Sequence, residues 1–292
     1  MGAISFSKSF SKFFIAAIFA VLFFSLTKQT FATTTAALLP TSDGTYMQWN
    51  TKSGASHFAM VDESSCDANT TFNRETTVGG RDSYGISLSS IPNGSTITQI
   101  DITPCASKNT SGGTTTTFNL FYRLDGVDSA DAGGYSLTTT TPAVLGSTVF
   151  SGLSATKSGS TTLEVGGVFT AGNRGVKLSQ VSTVITYTLP APTVTTNAAT
   201  SVGTNAATLN STANPNGQST TVVYRYGTSN VACSSLPNTT GAILIGSGTT
   251  DVSPNAKVVN SLSLSTTYYF CATAINATGT TYGSVNSFTT LP

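Results

Sequence analysis

The chain has 292 residues, 9% of them charged, and its 13 basic side chains exceed its 12 acidic ones by a single charge. Typical globular chains are about 25% charged, so a composition poor in Glu, Lys and Gln and rich in Thr, Ser and Gly excludes a mainly helical protein and predicts strands and turns. A near-neutral chain also lacks the basic surplus that would mark a nucleic-acid or anionic-membrane binder.

Lys8 and Lys12 precede an uncharged apolar run at 13–26, a polar stretch at 27–30 and the small residue Ala32. That order predicts a secretory signal peptide over residues 1–32. The run is shorter than the roughly 20 residues that span a bilayer, so no membrane span is expected in the mature chain. Cleavage removes Lys8, Lys12 and Lys28 and no acid, which takes the formal charge from +1 to −2. An exported chain with four cysteines, Cys66, Cys105, Cys233 and Cys271, reads as a disulfide protein. Pairing within each half predicts Cys66–Cys105 and Cys233–Cys271. Metal binding by these thiols is not expected, since no Cys-x-x-Cys spacing occurs.

Residues 33–44 read as an irregular lead-in or a loosely attached first strand. Strands are then expected at 46–49 and 56–61, the second holding the sole histidine, His57. The sole tryptophan, Trp49, is expected to pack in a core, with sugar stacking as the other reading. Asp62, Glu63 and Asp67 crowd around Cys66. They form either a calcium loop, since that hard cation wants several oxygens, or a solvated loop pinned by the disulfide. Asp125, Asp128 and Asp131 pose the same choice in a glycine-rich loop. Further strands are expected at 84–88, 96–103, 114–124, 135–138, 148–153, 161–165 and 176–188. Pro104 should end the second of these pieces, 96–103, and Gly166-Gly167 should make a bulge or turn. At 114–124 the alternation turns Phe118, Leu120, Tyr122 and Leu124 inward and Asn119, Phe121 and Arg123 outward. These strands predict a sandwich or jelly roll over 33–189. Its Trp49 start, its Val61-Asp62-Glu63 segment and its long closing strand loosely resemble jelly-roll domains of exported surface proteins.

Leu189-Pro190-Ala191-Pro192 changes the pattern, and residues 190–192 are expected to be a stiff linker. The stretch 266–279 has Tyr268, Phe270, Ala272 and Ala274 on one face of a strand and Tyr269, Cys271, Thr273 and Ile275 on the other. With Thr266 and Tyr268 leading in, and Ala274, Asn276 and Gly279 leading out, it resembles strand F of a fibronectin type III domain. Residues 193–292 resemble bacterial members of that family throughout: strand A at 193–196, B at 207–213, C at 220–226, E leading in from 257–264, and G at 282–289. Leu209 stands where many members carry Trp. The resemblance implies that C and F share a sheet, that a Cys233–Cys271 bridge lies on its outer side, and that Tyr268 is a tyrosine-corner residue whose hydroxyl bonds nearby backbone. The family's occasional Arg-Gly-Asp motif is absent. The expected fold is therefore all-β: two β-sandwich domains in tandem, jelly-roll-like then fibronectin type III-like, after a signal peptide.

No nucleophile elbow accompanies His57, and no flanking pattern promotes Asp62, Glu63 or Glu164 as a glycosidase pair. Six Asn-x-Ser/Thr sequons, at Asn69, Asn93, Asn109, Asn210, Asn238 and Asn276, are expected to be mostly unmodified, given the bacterial style of the domain. The expectation is a secreted or cell-surface protein without enzyme activity or cofactor, calcium aside. It would act in adhesion, surface assembly or polymer binding, by touching an extracellular polymer, a protein or its own kind. In one form residues 33–39 would add as a strand to a neighbouring subunit. The other reading is a carbohydrate-active enzyme or its accessory binding module, with Trp49, His57 or the 62–67 loop at the sugar site.

Overall fold

The computed structural model describes residues 32–52, 56–66, 70–253 and 256–292. The expected leader, apart from Ala32, and Asp67 and Asn69 lie outside the described residues. Two β-sandwiches stand in tandem.

The first begins with β1 (Ala32–Thr34), β2 (Pro40–Met47), β3 (Asn50–Thr51), β4 (Asn73–Glu75), β5 (Arg81–Ile86), β6 (Thr96–Lys108) and β7 (Thr116–Leu124). It continues with β8 (Val127–Asp128), β9 (Ala132–Leu137), β10 (Ala143–Val144), β11 (Thr148–Thr156), β12 (Leu163–Ala171) and β13 (Val176–Thr188). One sheet runs β10-β6-β13-β4-β3, with β1 on β13 and β11 on β6; the other runs β2-β5-β12-β7-β8, with β9 on β7. Every pairing is antiparallel. The inner faces bury Tyr84, Phe118 and Phe169 against Ile100, Ile102, Leu178 and Ile185.

Two bulges set this core. β13 turns Val176 and Leu178 inward, then Val181, Ile185 and Tyr187, a change of parity that strict alternation forbids. Ser179 is the extra residue, between the Leu178–Ala106 and Gln180–Cys105 pairs, and its hydroxyl approaches the Cys105 carbonyl at 3.4 Å. Thr98 does the same on β6, its hydroxyl donating to the Thr186 carbonyl at 3.1 Å. Thr98 is thus the bulge residue and not a continuation of the Ile100–Ile102 face.

Three local expectations are corrected. Residues 56–61 are no strand: the Asp43 carboxylate takes the Phe58 N–H at 2.7 Å and a 3-10 turn forms at Phe58–Met60. Pro104 does not end β6, which runs on to Lys108; Pro104 pairs with Val181, and its carbonyl accepts the Leu145 N–H at 2.9 Å. Gly166 and Gly167 are regular strand residues, each paired on both sides, to Ser83 and Phe121 and to Asp82 and Leu120. Their missing side chains admit neighbours instead, as shown below for Gly166.

The lead-in is also more ordered than expected. Ala32–Thr34 pairs with β13 of its own chain, and Leu38 bridges Thr183.

The second sandwich opens with β14 (Thr193–Thr200), β15 (Ala207–Asn214), β16 (Thr220–Gly227), β17 (Asn238–Thr239) and β18 (Ile243–Gly246). It closes with β19 (Lys257–Val259), β20 (Thr267–Ile275), β21 (Thr280–Tyr282) and β22 (Asn286–Thr289). β14, β15 and β19 make one sheet, and β16 and β20 are central in the other. Leu209, Val222, Tyr224, Phe270, Ala272 and Ala274 fill the core. The expected last strand is two, β21 and β22, both paired with β20: the Gly283 N–H still bonds the Ala272 carbonyl at 2.9 Å in the register of β21, and β22 pairs one residue out of that register. Cys233 joins Cys271 on the outer side of β20, in a small cluster with Leu236. Cys66 joins Cys105 across a Cα–Cα distance of 5.6 Å. The Tyr268 hydroxyl accepts the Ser263 N–H at 3.0 Å while its ring stacks on Phe288. Among the described residues the only helical pieces are 3-10 turns, and no helix is long and apolar enough to cross a membrane.

Candidate binding face

Alternation along β5 drives the chemistry of the first sandwich. Asp82 and Tyr84 point into the core, and Arg81 and Ser83 point out. Polar groups at both parities build one network inside and one outside, two residues of the same strand feeding each.

Outside, the Tyr46 ring meets Phe121 edge-on at 5.7 Å. The Arg81 guanidinium lies 4.7 Å from the Phe121 centroid and 5.9 Å from that of Tyr46; Arg123 covers Tyr46 at 5.9 Å. Guanidinium over an aromatic face is favourable and ordered. Each guanidinium is fixed by an aspartate, Arg81 by Asp131 at 2.8 Å and Arg123 by Asp128 at 2.7 Å. The Tyr46 hydroxyl donates to the second oxygen of Asp128 at 2.7 Å. Phe121 faces outward, as its place in β7 predicts, yet it is fully buried beneath these groups. A side chain at Gly166 would strike its ring and the Asp82 carbonyl, so glycine is what lets Phe121 lie flat there.

Glu164, next on this face, accepts the Thr45 N–H at 2.8 Å and the Thr45 and Ser83 hydroxyls at 2.7 Å each. Partial burial pushes its carboxyl up, but these three donors and nearby Arg123 hold it below the ordinary carboxylate range. Asp128 behaves alike: burial raises it, and Tyr46 and Arg123 bring it lower than usual. Tyr46 is raised, first by its bond to Asp128. The face is therefore a preset array of aromatic edges, guanidinium groups and ionised carboxylates. It can bind a ligand bearing hydroxyls by stacking and by charge-assisted hydrogen bonds.

Inside, His57 Nδ1 lies 2.7 Å from Asp82 Oδ1. Tyr84 and Asn73 donate to Asp82 Oδ2 at 2.9 and 3.0 Å, and Asn73 also reaches the His57 carbonyl at 2.8 Å. Asp82 is fully buried. Desolvation raises its pKa to about 7, against the pull of His57 and Tyr84. The side-chain amide oxygen of Asn73 is buried without a partner among the described residues. Among the described residues no serine, threonine or cysteine is hydrogen-bonded to His57 as a nucleophilic triad requires.

The remaining sequence candidates scatter. Trp49 is 2% exposed, its indole N–H on the Gly80 carbonyl at 2.9 Å and its ring on Gly167; it presents no face to a sugar. Glu63 accepts the Thr71 hydroxyl at 3.0 Å, and no group of His, Cys, Asp and Glu suited to a metal occurs among the described residues, Asp62 and Glu63 included. Of the other aspartate run, Asp128 and Asp131 hold the two arginines, and Asp125 accepts the Thr162 N–H at 2.8 Å. Asp82, Asn73, Tyr46 and Arg81 escaped the sequence reading because no motif marks them; the one signal was a strand, 81–84, polar at both parities.

No protein-family model matches the chain, and no curated protein matches it. Among solved structures, the sensor domain of the anti-sigma factor RsgI4 of Pseudobacteroides cellulosolvens is 19% identical over 35% of this chain and 96% of its own, with a TM-score of 0.27. The tandem CBM22-1-CBM22-2 domain of Paenibacillus barcinonensis Xyn10C is 10% identical over 88% of this chain and 90% of its own, with a TM-score of 0.32. A β-D-glucuronidase of Dictyoglomus thermophilum is 10% identical over 89% of this chain and 44% of its own, with a TM-score of 0.24. At these scores the likenesses carry no functional implication.

Proposed function

We propose that the chain is an exported binding protein without enzyme activity, whose first sandwich attaches to an extracellular polymer through the Tyr46 face. The second sandwich, which resembles a fibronectin type III domain, serves as a spacer. The carrying observation is the outer network of Tyr46, Arg81, Phe121, Arg123 and Glu164. Its side chains are held by one another on an outward face, ready to meet a ligand without further ordering. The apolar run at 13–26 and the paired cysteines support export. Panning the chain over a glycan array, with Tyr46→Ala and Arg123→Ala alongside, tests the assignment. Retention lost in both variants supports it, and retention unchanged in both removes the Tyr46 face as the site.

A second reading, a carbohydrate-active enzyme, is favoured by one feature, the His57–Asp82 pair with its raised carboxyl. Its test is hydrolysis of the retained glycan. Release of reducing sugar by the chain, absent in Asp82→Asn, would establish that reading over the first.

A further inference from the structure

The hairpin that joins β7 to β8 divides its residues between two surfaces. Asp125 and Gly126 make its two-residue loop, with φ of 49° and 82°, both positive as a type I′ turn requires. The register then sets Val127 opposite Leu124 and Asp128 opposite Arg123. Asp128 therefore joins the outer Tyr46 network, while Val127 takes the inward side with Leu124 and Tyr122. Yet Val127 is 69% exposed, and Leu124 and Tyr122 are only partly buried. Inward residues this open are ones that the facing sheet fails to cover, and β11 lies at the edge of that sheet, on β6.

β11 forms the opposite wall. Its register on β6 slips between Ser151–Gln99 and Ala155–Ile97, so Gly152, Leu153 and Ser154 stand against Thr98 alone. Gly152 takes a φ of 75°, which a side chain would resist, and the strand bulges there. The Phe150 ring meets Tyr122 edge-on at 5.1 Å and ties this wall to β7. Between the walls lies a cavity of about 270 Å³, lined by Leu124, Val127, Leu153 and Ala155 along with Tyr122. Asp128 lines it too, with its carboxylate already bound by Tyr46 and Arg123, so the slot is continuous with the Tyr46 face.

The lining selects an occupant. Four aliphatic side chains favour an apolar group, a polar one would lose its water there uncompensated, and an anionic one would meet the Asp128 carboxylate. Cavities that hold a whole small ligand measure roughly 300–1,000 Å³, so this one suits part of a larger molecule. That molecule must also carry hydroxyls where it crosses onto the Tyr46 face. We propose that the slot takes the short acyl substituent of an acylated polysaccharide whose sugar units lie on the Tyr46 face. The assignment rests on the polymer-binding reading of that face and adds the class of polymer.

The test is retention of the full chain on immobilised dextran and on the same dextran carrying acetyl or butanoyl esters at equal density. Retention is expected to rise from dextran to the acetyl to the butanoyl ester, by about tenfold between the esters, the gain from burying two more methylene groups. Val127→Asp, at a position open to solvent, and Ala155→Phe, which fills the slot, should each abolish the butanoyl preference. Leu244→Asp, at an equally exposed site of the second sandwich, should leave it intact. Trp49 fluorescence and far-UV circular dichroism check that each variant folds. The proposal is overturned if no resin retains the chain, if the esters are held no tighter than dextran, if the preference survives in a folded Val127→Asp or Ala155→Phe, or if Leu244→Asp abolishes it as well. A dimer in size exclusion that Val127→Asp makes monomeric also overturns it, since a second copy then covers the slot. Tyr46→Ala should weaken retention on all three resins by one factor and leave the ratio between the esters unchanged. Equal retention of esters and dextran, lost in Tyr46→Ala, would overturn the slot and keep the face. An ester preference lost in Val127→Asp, with retention indifferent to Tyr46→Ala, would remove the face and leave an acyl site.

Discussion

The two sandwiches are built to the same plan and furnished differently. The second has only three charged side chains, Arg225, Asp251 and Lys257, and otherwise closes its polar groups with hydroxyl and amide bonds such as Ser211 to Tyr224 at 2.9 Å. The first has a buried acid–histidine pair, an outer face of arginines clamped by aspartates, and an apolar slot beside that face. A spacer needs only a core and a staple. A binding domain must hold charges in place, and each ordered charge needs a partner that other parts of the chain supply. The contrast teaches where to look for function: in the sandwich that has spent long-range hydrogen bonds on its surface.

Unfolding separates the two most sharply. Trp49 is the sole tryptophan and lies in the first core, so its fluorescence reports that sandwich alone. Phe118→Ala, a fully buried ring deleted, should lower the Trp49-monitored stability by about 3–5 kcal/mol, while Phe270→Ala in the second core leaves that transition in place. If both variants shift it equally, the sandwiches unfold as one unit and the comparison fails.

Asp82 is expected to come next. A carboxyl raised to about 7 keeps its proton in the folded chain over a range where the unfolded chain, with the usual value near 3.8, has lost it. The folded state therefore binds more protons between roughly pH 4 and 7, and stability falls as pH rises through that window, by roughly 4 kcal/mol in all. His57 and Tyr84 oppose the shift and Asp43 adds to it. Asp82→Asn should flatten the pH dependence of Trp49-monitored denaturation; a slope that persists assigns it to another group.

The Cys233–Cys271 bridge, closing a loop between residues 38 apart, should stabilise the second sandwich by roughly 3–4 kcal/mol in a chain-entropy account. Cys233→Ser with Cys271→Ser, followed by far-UV circular dichroism, should show an early loss of strand signal that Trp49 does not register. Coincident transitions would contradict independence. The smallest effect belongs to Glu164→Gln, which replaces a charged acceptor of three bonds at a half-buried site. It should cost about 1–2 kcal/mol, seen by Trp49 as a modest drop in denaturant midpoint; no change would mean the outer network adds order but no stability.

Much of the architecture was legible along the chain. The strands 114–124, 176–188 and 266–279 were visible because burial on one face forces period-two alternation, and the cystine pairs because each half holds two cysteines. Where the alternation broke, the reading broke. Ser179 and Thr98 look like ordinary strand residues, and only the partner strand shows that they are bulges. His57 looked like a strand residue because nothing local reveals that Asp43, fourteen residues earlier, captures the next N–H and curls the chain. Net charge is silent on layout: a chain near neutrality can still sort its charges onto separate faces.

What the linear order determined, then, is the β class and the two-part layout, since these follow from composition and from short periodic patterns that each segment carries alone. The tertiary structure alone decided the Tyr46 face, the His57–Asp82 pair and the slot beside Asp128, because their members come from strands far apart in the chain and meet only through register. A shift of one residue in β5 would exchange Arg81 and Ser83 for Asp82 and Tyr84 and dissolve both networks.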